Sequence, residues 1–183
     1  MIYITTFILF ILCSIIVMLF KREGAINENK SNILISIIAL LLFMPVGAFR
    51  SISVGTDTAN YSQIFYNIAN TGINDICSLP LWYSCPTFVL LCKLFSIFSN
   101  TSLCYTIFTF SIFIIGITIF IYLDSSNVFM SWLYFILFHY YYFAMNTARQ
   151  SIAFMLCLYV VYFLKNKKYK LCTLFFLVSA TIH

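Results

Sequence analysis

The side chains in this sequence best suited to chemistry are Arg50, Arg149, Asp57 and His139. Arg149 sits at the start of an apolar run, in Thr147-Ala148-Arg149-Gln150. A helix N-terminus already carries positive potential, so an Arg there worsens the local charge balance where a structural design would place an acid. An anion such as a phosphate, in contrast, uses the Arg and the free N–H groups of that turn together. The same four residues also match a capping box, in which Gln150 satisfies backbone donors and Arg149 is a plain surface charge. Arg50 stands where another apolar run ends. It is either a second cation for an anion or an interfacial anchor whose head snorkels to water. Asp57 follows Gly55-Thr56. It reads as a helix N-cap or as a base that accepts a proton from a hydroxyl. His139 precedes Tyr140-Tyr141-Tyr142, which reads as an aromatic belt at a membrane interface. On a regular helix His139, Tyr142 and Asn146 would share one face, a polar stripe suited to a cavity.

The elements that must position these residues are membrane helices. Hydrophobic residues make up 63% of the 183 and charged residues 8%, against roughly 45–50% and about 25% in a soluble domain. Ten basic and five acidic side chains are too few to solvate a globule of this length. That excludes a disordered chain, a nucleic-acid module and a conventional soluble enzyme. A crossing helix needs about 20 apolar residues. Residues 2–20, 33–49, 103–123, 128–143 and 148–164 supply such runs, and a last run begins at Leu171. The sequence predicts an all-α polytopic bundle of about six spans, the last incomplete, forming a single integral membrane domain over 1–183. Residues 2–20 are not a cleaved signal peptide, because their charges, Lys21 and Arg22, follow the run and no small-residue cleavage site is present.

Seven of the ten basic residues fall in two patches: Lys21, Arg22 and Lys30, then Lys165, Lys167, Lys168 and Lys170. Short cytoplasmic loops retain Lys and Arg, so both patches are expected inside. Residues 50–102 and Arg149 are then outside. Within that outer segment, residues 87–98 are apolar but too short to cross, with Lys93, Ser96 and Asn100 on one face. They read as a re-entrant or interfacial helix; the alternative is a further tilted span with one basic patch outside. Gly55 marks a turn, Tyr61, Ile64, Phe65 and Ile68 form the apolar stripe of an amphipathic helix, and Asn70-Thr71-Gly72 ends it. Of seven cysteines, Cys13, Cys92, Cys104, Cys157 and Cys172 lie in apolar runs and read as small buried hydrophobes. Cys77 and Cys85 share a polar stretch and could pair. No metal-ligand cluster and no nucleotide-sugar motif is present.

Four blocks then resemble one family. Arg50-Ser-Ile-Ser-Val-Gly55-Thr56-Asp57 followed by Tyr61, Pro80-Leu-Trp-Tyr83 leading to Lys93, Arg149-Gln150-Ser-Ile-Ala153, and His183 occur in the order seen in EpsG-like membrane proteins. These include Wzy-type O-antigen polymerases. The resemblance implies polymerisation of polyprenyl-diphosphate-linked oligosaccharide repeats at the outer face of the bacterial inner membrane, with no cofactor and no nucleic acid. It implies Arg50 and Arg149 on the diphosphate, with Thr56, Tyr61, Gln150 and His139 as further substrate contacts and Asp57 or His183 as the base. A chain-length regulator and a flippase of the same pathway are the implied partners. Family members often carry an acid before the Pro, where this chain has Leu79. They are also longer. Residues 171–183 would span about 20 Å at about 1.5 Å per residue, against about 30 Å of hydrocarbon. The expectation is a fragment that is inactive alone. The alternatives are a transporter or flippase using the same arginine pair, and a non-catalytic membrane fragment.

Overall fold

Apolar runs without interior glycine clusters or charges fold as helices because, inside a bilayer, each backbone N–H and C=O must find its partner within the segment. The computed structural model describes residues 1–183. In chain order its helices are α1 (Ile2–Arg22), α2 (Glu28–Ala48), α3 (Thr58–Asn70), then a 3-10 turn (Ile73–Ser78), α4 (Pro80–Ser84), α5 (Pro86–Phe95), α6 (Ser102–Asp124), α7 (Val128–Leu137), α8 (Tyr140–Asn146), α9 (Ala148–Lys165) and α10 (Tyr169–Ile182). No strand forms. The all-α polytopic expectation holds. Four helices, α1, α2, α6 and α9, are long and apolar enough to cross a membrane.

The expected span over 128–143 is not one rod. It breaks into α7 and α8, bent by 53°. His139 occupies the break with φ 64°, a left-handed conformation uncommon for a residue with a Cβ. The last turn of α7 tightens as the His139 N–H bonds Ile136 O, and α8 restarts with the Phe143 N–H on His139 O. The bend accompanies a buried polar contact: Tyr141, 2% exposed, donates from its hydroxyl to Phe43 O at 2.8 Å. A buried tyrosine needs such an acceptor. Counting the bent pair as one span gives five candidate crossings rather than six, with the 14-residue α10 a shorter apolar helix packed on α9.

Two cores hold the helices. The larger joins α1, α2 and α6–α10 through stacked aromatics, including Phe10, Phe43 and Trp132. With no hydrophobic drive between helices inside lipid, such close packing supplies the attraction. The second core joins the segment between α2 and α6 to the start of α6 and α9, through Phe65, Ile68, Phe88, Val89, Phe95 and Tyr105. That segment is therefore a packed cap on the bundle. Its α5 has ten residues, about 15 Å of helix, too short for a crossing. The Lys93 face of α5 packs on the end of α3: Lys93 Nζ donates to Ala69 O at 2.9 Å and Thr71 O at 2.7 Å.

The two ends of the bundle are chemically distinct. At one, Lys165 pairs with Asp124 at 2.6 Å and the Tyr122 hydroxyl donates to Asn29 at 2.9 Å, which brings both basic patches to the same end. At the other lie Arg50, Arg149 and the cap.

Candidate functional site: two arginines without acids

Arg50 follows the last turn of α2 and folds back over the bundle, 7% exposed. Its Nη1 donates to Gly47 O at 2.7 Å and its Nη2 to Met145 O at 3.0 Å. The guanidinium lies 5.7 Å from the centre of the Phe110 ring. A Cβ at position 47 would sit 2.2 Å from that same ring, so only glycine lets Phe110 underlie the arginine. Burial lowers the Arg50 pKa from its ordinary value, opposed by Tyr105, Tyr3 and Tyr141 nearby. An arginine starts so high that it stays charged at neutral pH. The snorkelling anchor is thus overturned: the head is buried, and its Nε has no acceptor in the protein.

The Gly55-Thr56-Asp57 turn is fastened to the end of α8. Gly55 has φ +95°. The Thr56 N–H donates to Asn146 Oδ1 at 3.2 Å, and the Thr58 hydroxyl is 2.8 Å from Val54 O and 3.1 Å from Met145 O. Met145 O therefore gathers Arg50 and Thr58, and joins the turn to α8. Asp57 occupies the N-cap position of α3, yet its side chain makes no cap bond. The cap-only reading of Asp57 fails, and its carboxylate is in no ion pair.

Arg149 starts α9. The expected capping box does not form, because the Thr147 hydroxyl turns back to Phe143 O at 3.1 Å. Gln150 is half-buried beside it. Arg149 Nη1 donates to the Cys85 thiol at 3.0 Å, and the guanidinium lies 5.9 Å from the Tyr61 ring centre. A thiol is a weak acceptor. Like that of Arg50, the Arg149 Nε is buried without a partner. Cys85 and Cys77 are both free thiols, so no disulfide joins them. Among the cysteines of the apolar runs, Cys92 and Cys104 are buried but Cys157 is exposed on α9.

Sequence reasoning missed Tyr105. It is fully buried in the first turn of α6, stacked on Tyr61 with ring centres 6.5 Å apart, and its hydroxyl has no partner. A hydroxyl-bearing aromatic entering an apolar span was the available signal. The predicted stripe of His139, Tyr142 and Asn146 is dispersed by the break. His139 is exposed, 5.8 Å from the Tyr142 ring, while Asn146 turns to Thr56. None of the hydrogen bonds or ring contacts of His139 reaches either arginine. His183 is exposed, two residues after Thr181, whose hydroxyl meets that of Thr87 on α5 at 2.7 Å. It therefore lies at the same end as Arg149, with no hydrogen bond between the two.

The only ion pairs, Lys21–Glu28 and Lys165–Asp124, lie at the opposite end. One buried and one half-buried cation, Arg50 and Arg149, thus stand without a carboxylate, and removing an ion from water costs several kcal/mol unless a counter-charge compensates. Such a pair is suited to an anion. Fold and site together define a polytopic helical membrane protein with a cationic site under a packed cap. The model of the EpsG family matches residues 32–183, and the chain belongs to that family. Membership suggests a polysaccharide polymerase-like role. No curated protein matches the chain, and no solved structure does.

Proposed function

We propose that the protein polymerises polyprenyl-diphosphate-linked oligosaccharide repeats into O-antigen or exopolysaccharide by glycosyl transfer at the outer face of the bacterial inner membrane, as a Wzy-type polymerase. The observation that carries this is the pair of arginines, Arg50 and Arg149, each with a buried Nε lacking any acceptor in the protein, in a chain of the EpsG family. In the reaction an acceptor hydroxyl forms a bond to the anomeric carbon of the growing chain. The bond from that carbon to the diphosphate breaks, and negative charge accumulates on the departing lipid diphosphate. Arg50 and Arg149 would neutralise that charge where it develops, the largest single contribution in many active sites. The hydroxyl proton passes to a base. Asp57, whose carboxylate caps nothing, is the first candidate and His183 the second. Thr56, Tyr61 and Gln150 are proposed as further substrate contacts, and His139, exposed at the α7–α8 break, as an outer glycan contact.

A guanidinium grips a phosphate with two parallel bonds, which an ammonium cannot do. Each charged hydrogen bond contributes about 1.5–3 kcal/mol, and about 1.4 kcal/mol is tenfold in an equilibrium. In a longer EpsG family member, lysine at the positions matching Arg50 and Arg149 is expected to cut polymer formation at least tenfold at unchanged membrane abundance. The measurement is the glycan ladder in a polymerase-null strain expressing each variant. Ladders of wild-type length from both variants would refute the reading. Lipid-linked repeats accumulating on the inner face of that strain would point to a flippase instead.

A further inference from the structure

At the end of the bundle opposite the two arginines, a cavity of about 350 Å³ opens between the last turn of α1, the first turns of α2 and the loop from α6 to α7. Two cations line it, Lys21 and Arg22, with one acid, Glu28. Lys21 Nζ meets Glu28 Oε1 at 2.9 Å, whereas Arg22 is in no ion pair. The lining therefore carries one uncompensated positive charge. Ser31, only 2% exposed, also lines the cavity, and its hydroxyl makes no hydrogen bond within the chain. Ser126 adds a second hydroxyl from the loop, and Met18 and Phe129 supply apolar walls. The depth is set by α1. Its 21 residues from Ile2 to Arg22 rise roughly 30 Å, which matches the hydrocarbon thickness. Lys21 and Arg22 thus stand at the level of the phosphates of one leaflet. Met18, 39% exposed, and Ile15, 41% exposed, lie one and two turns deeper, at the level of the lipid chains.

A soluble anion would use the charge but neither the apolar walls nor the depth. A basic pocket between spans suits the headgroup of an anionic lipid. One surplus charge matches one phosphodiester rather than a diphosphate. We infer that this cavity binds an anionic glycerophospholipid of the leaflet that the basic end faces. Its phosphodiester lies between Arg22 and Lys21 with the Ser31 hydroxyl donating to it, a headgroup hydroxyl meets Ser126, and an acyl chain runs along Met18 and Ile15. The inference is independent of what Arg50 and Arg149 bind.

The test uses the full chain purified in a non-ionic detergent, with dioctanoyl phosphatidylglycerol as the probe and bound lipid counted by native mass spectrometry. Dioctanoyl phosphatidylcholine and glycerol 1-phosphate are the comparison ligands. Phosphatidylglycerol should bind, and Arg22→Gln should weaken it about fivefold, the worth of one basic residue at an anionic headgroup. Ser31→Ala, which changes no charge, should weaken it about tenfold through the lost bond to the phosphate. Lys30→Gln and Lys167→Gln remove charge from the same end but outside the cavity, and binding to them should stay within about twofold of the wild type. Wild-type binding in either Arg22→Gln or Ser31→Ala overturns the site. Equal losses in all three charge variants mean a diffuse attraction of the basic end and overturn it too. Phosphatidylcholine binding as tightly as the probe overturns selection for an anionic lipid, and glycerol 1-phosphate binding as tightly overturns the lipid assignment.

Discussion

A methyl group at Gly55 would lie 2.7 Å from Met145 O, 2.7 Å from the Thr58 hydroxyl and 2.8 Å from Asn146 Oδ1. The first of these is backbone and already holds Arg50 and Thr58. The residue also sits at φ +95°, where a side chain is strained. Gly55→Ala is expected to cost about 1–3 kcal/mol from backbone strain and to loosen Arg50 by pushing Met145 away. The check is the thermal unfolding midpoint of the purified protein, which should fall, together with polymer formation, which should fall with it. A wild-type midpoint would show that the turn has room to move. The sequence displays Gly55 as a turn residue, Arg50 as a chemical group and Asp57 as a cap. What it does not display is that a single carbonyl 90 residues or more further along, at Met145, organises the first two, or that Asp57 leaves its capping role unused. Those depend on which backbone groups meet across the fold. Tyr105 escaped notice for the same reason, since an unpartnered hydroxyl is a property of surroundings rather than of residue type.

Between elements, the decisive contact is the Lys93 ammonium at the end of α3. Helix ends leave carbonyls without partners, and a cation there is favoured by the negative end of the helix. Lys93 Nζ reaches Ala69 O at 2.9 Å, Thr71 O at 2.7 Å and Ile68 O at 3.4 Å. Asn100 adds a bond to Asn70 at 3.3 Å. The periodicity shows Lys93 and Asn100 on one face of a segment that reads as a re-entrant or interfacial helix; the structure turns that face onto α3. Lys93→Met keeps the aliphatic stem but removes the donors. It is expected to destabilise the α3–α5 pair by about 1.5–3 kcal/mol. Hydrogen exchange is the direct measurement: backbone amides of residues 67–71 should exchange faster, while those of α6 keep their protection. Equal exchange in variant and wild type would mean that the apolar contacts of Phe65 and Ile68 hold α3 unaided.

Over the whole molecule, hydropathy alone outlines the five runs that become four long apolar helices and one bent pair, because an apolar stretch of that length has few other solutions in a bilayer. It does not reveal the bend in the fourth, where a left-handed His139 and the reach of Tyr141 to Phe43 O outweigh local helix preference. Orientation follows from charge. The Lys165–Asp124 pair and the Tyr122–Asn29 bond join the starts and ends of α2, α6 and α9 at one end of the bundle. That end carries seven of the ten basic residues, and the other carries Arg50, Arg149 and Lys93. By the retention of Lys and Arg on the cytoplasmic side, the arginine end should face outward. On a background with the native cysteines replaced, Ile73→Cys, on the cap at a site 77% exposed, should react with a membrane-impermeant maleimide in intact cells. Lys167→Cys, exposed in the basic loop after α9, should react only after permeabilisation. The reversed pattern would set the arginine pair facing the cytoplasm, away from any acceptor glycan, and remove the basis for polymerisation at the outer face. The expected pattern leaves the cap, Arg50 and Arg149 on the side where the proposed lipid-linked repeat presents its diphosphate.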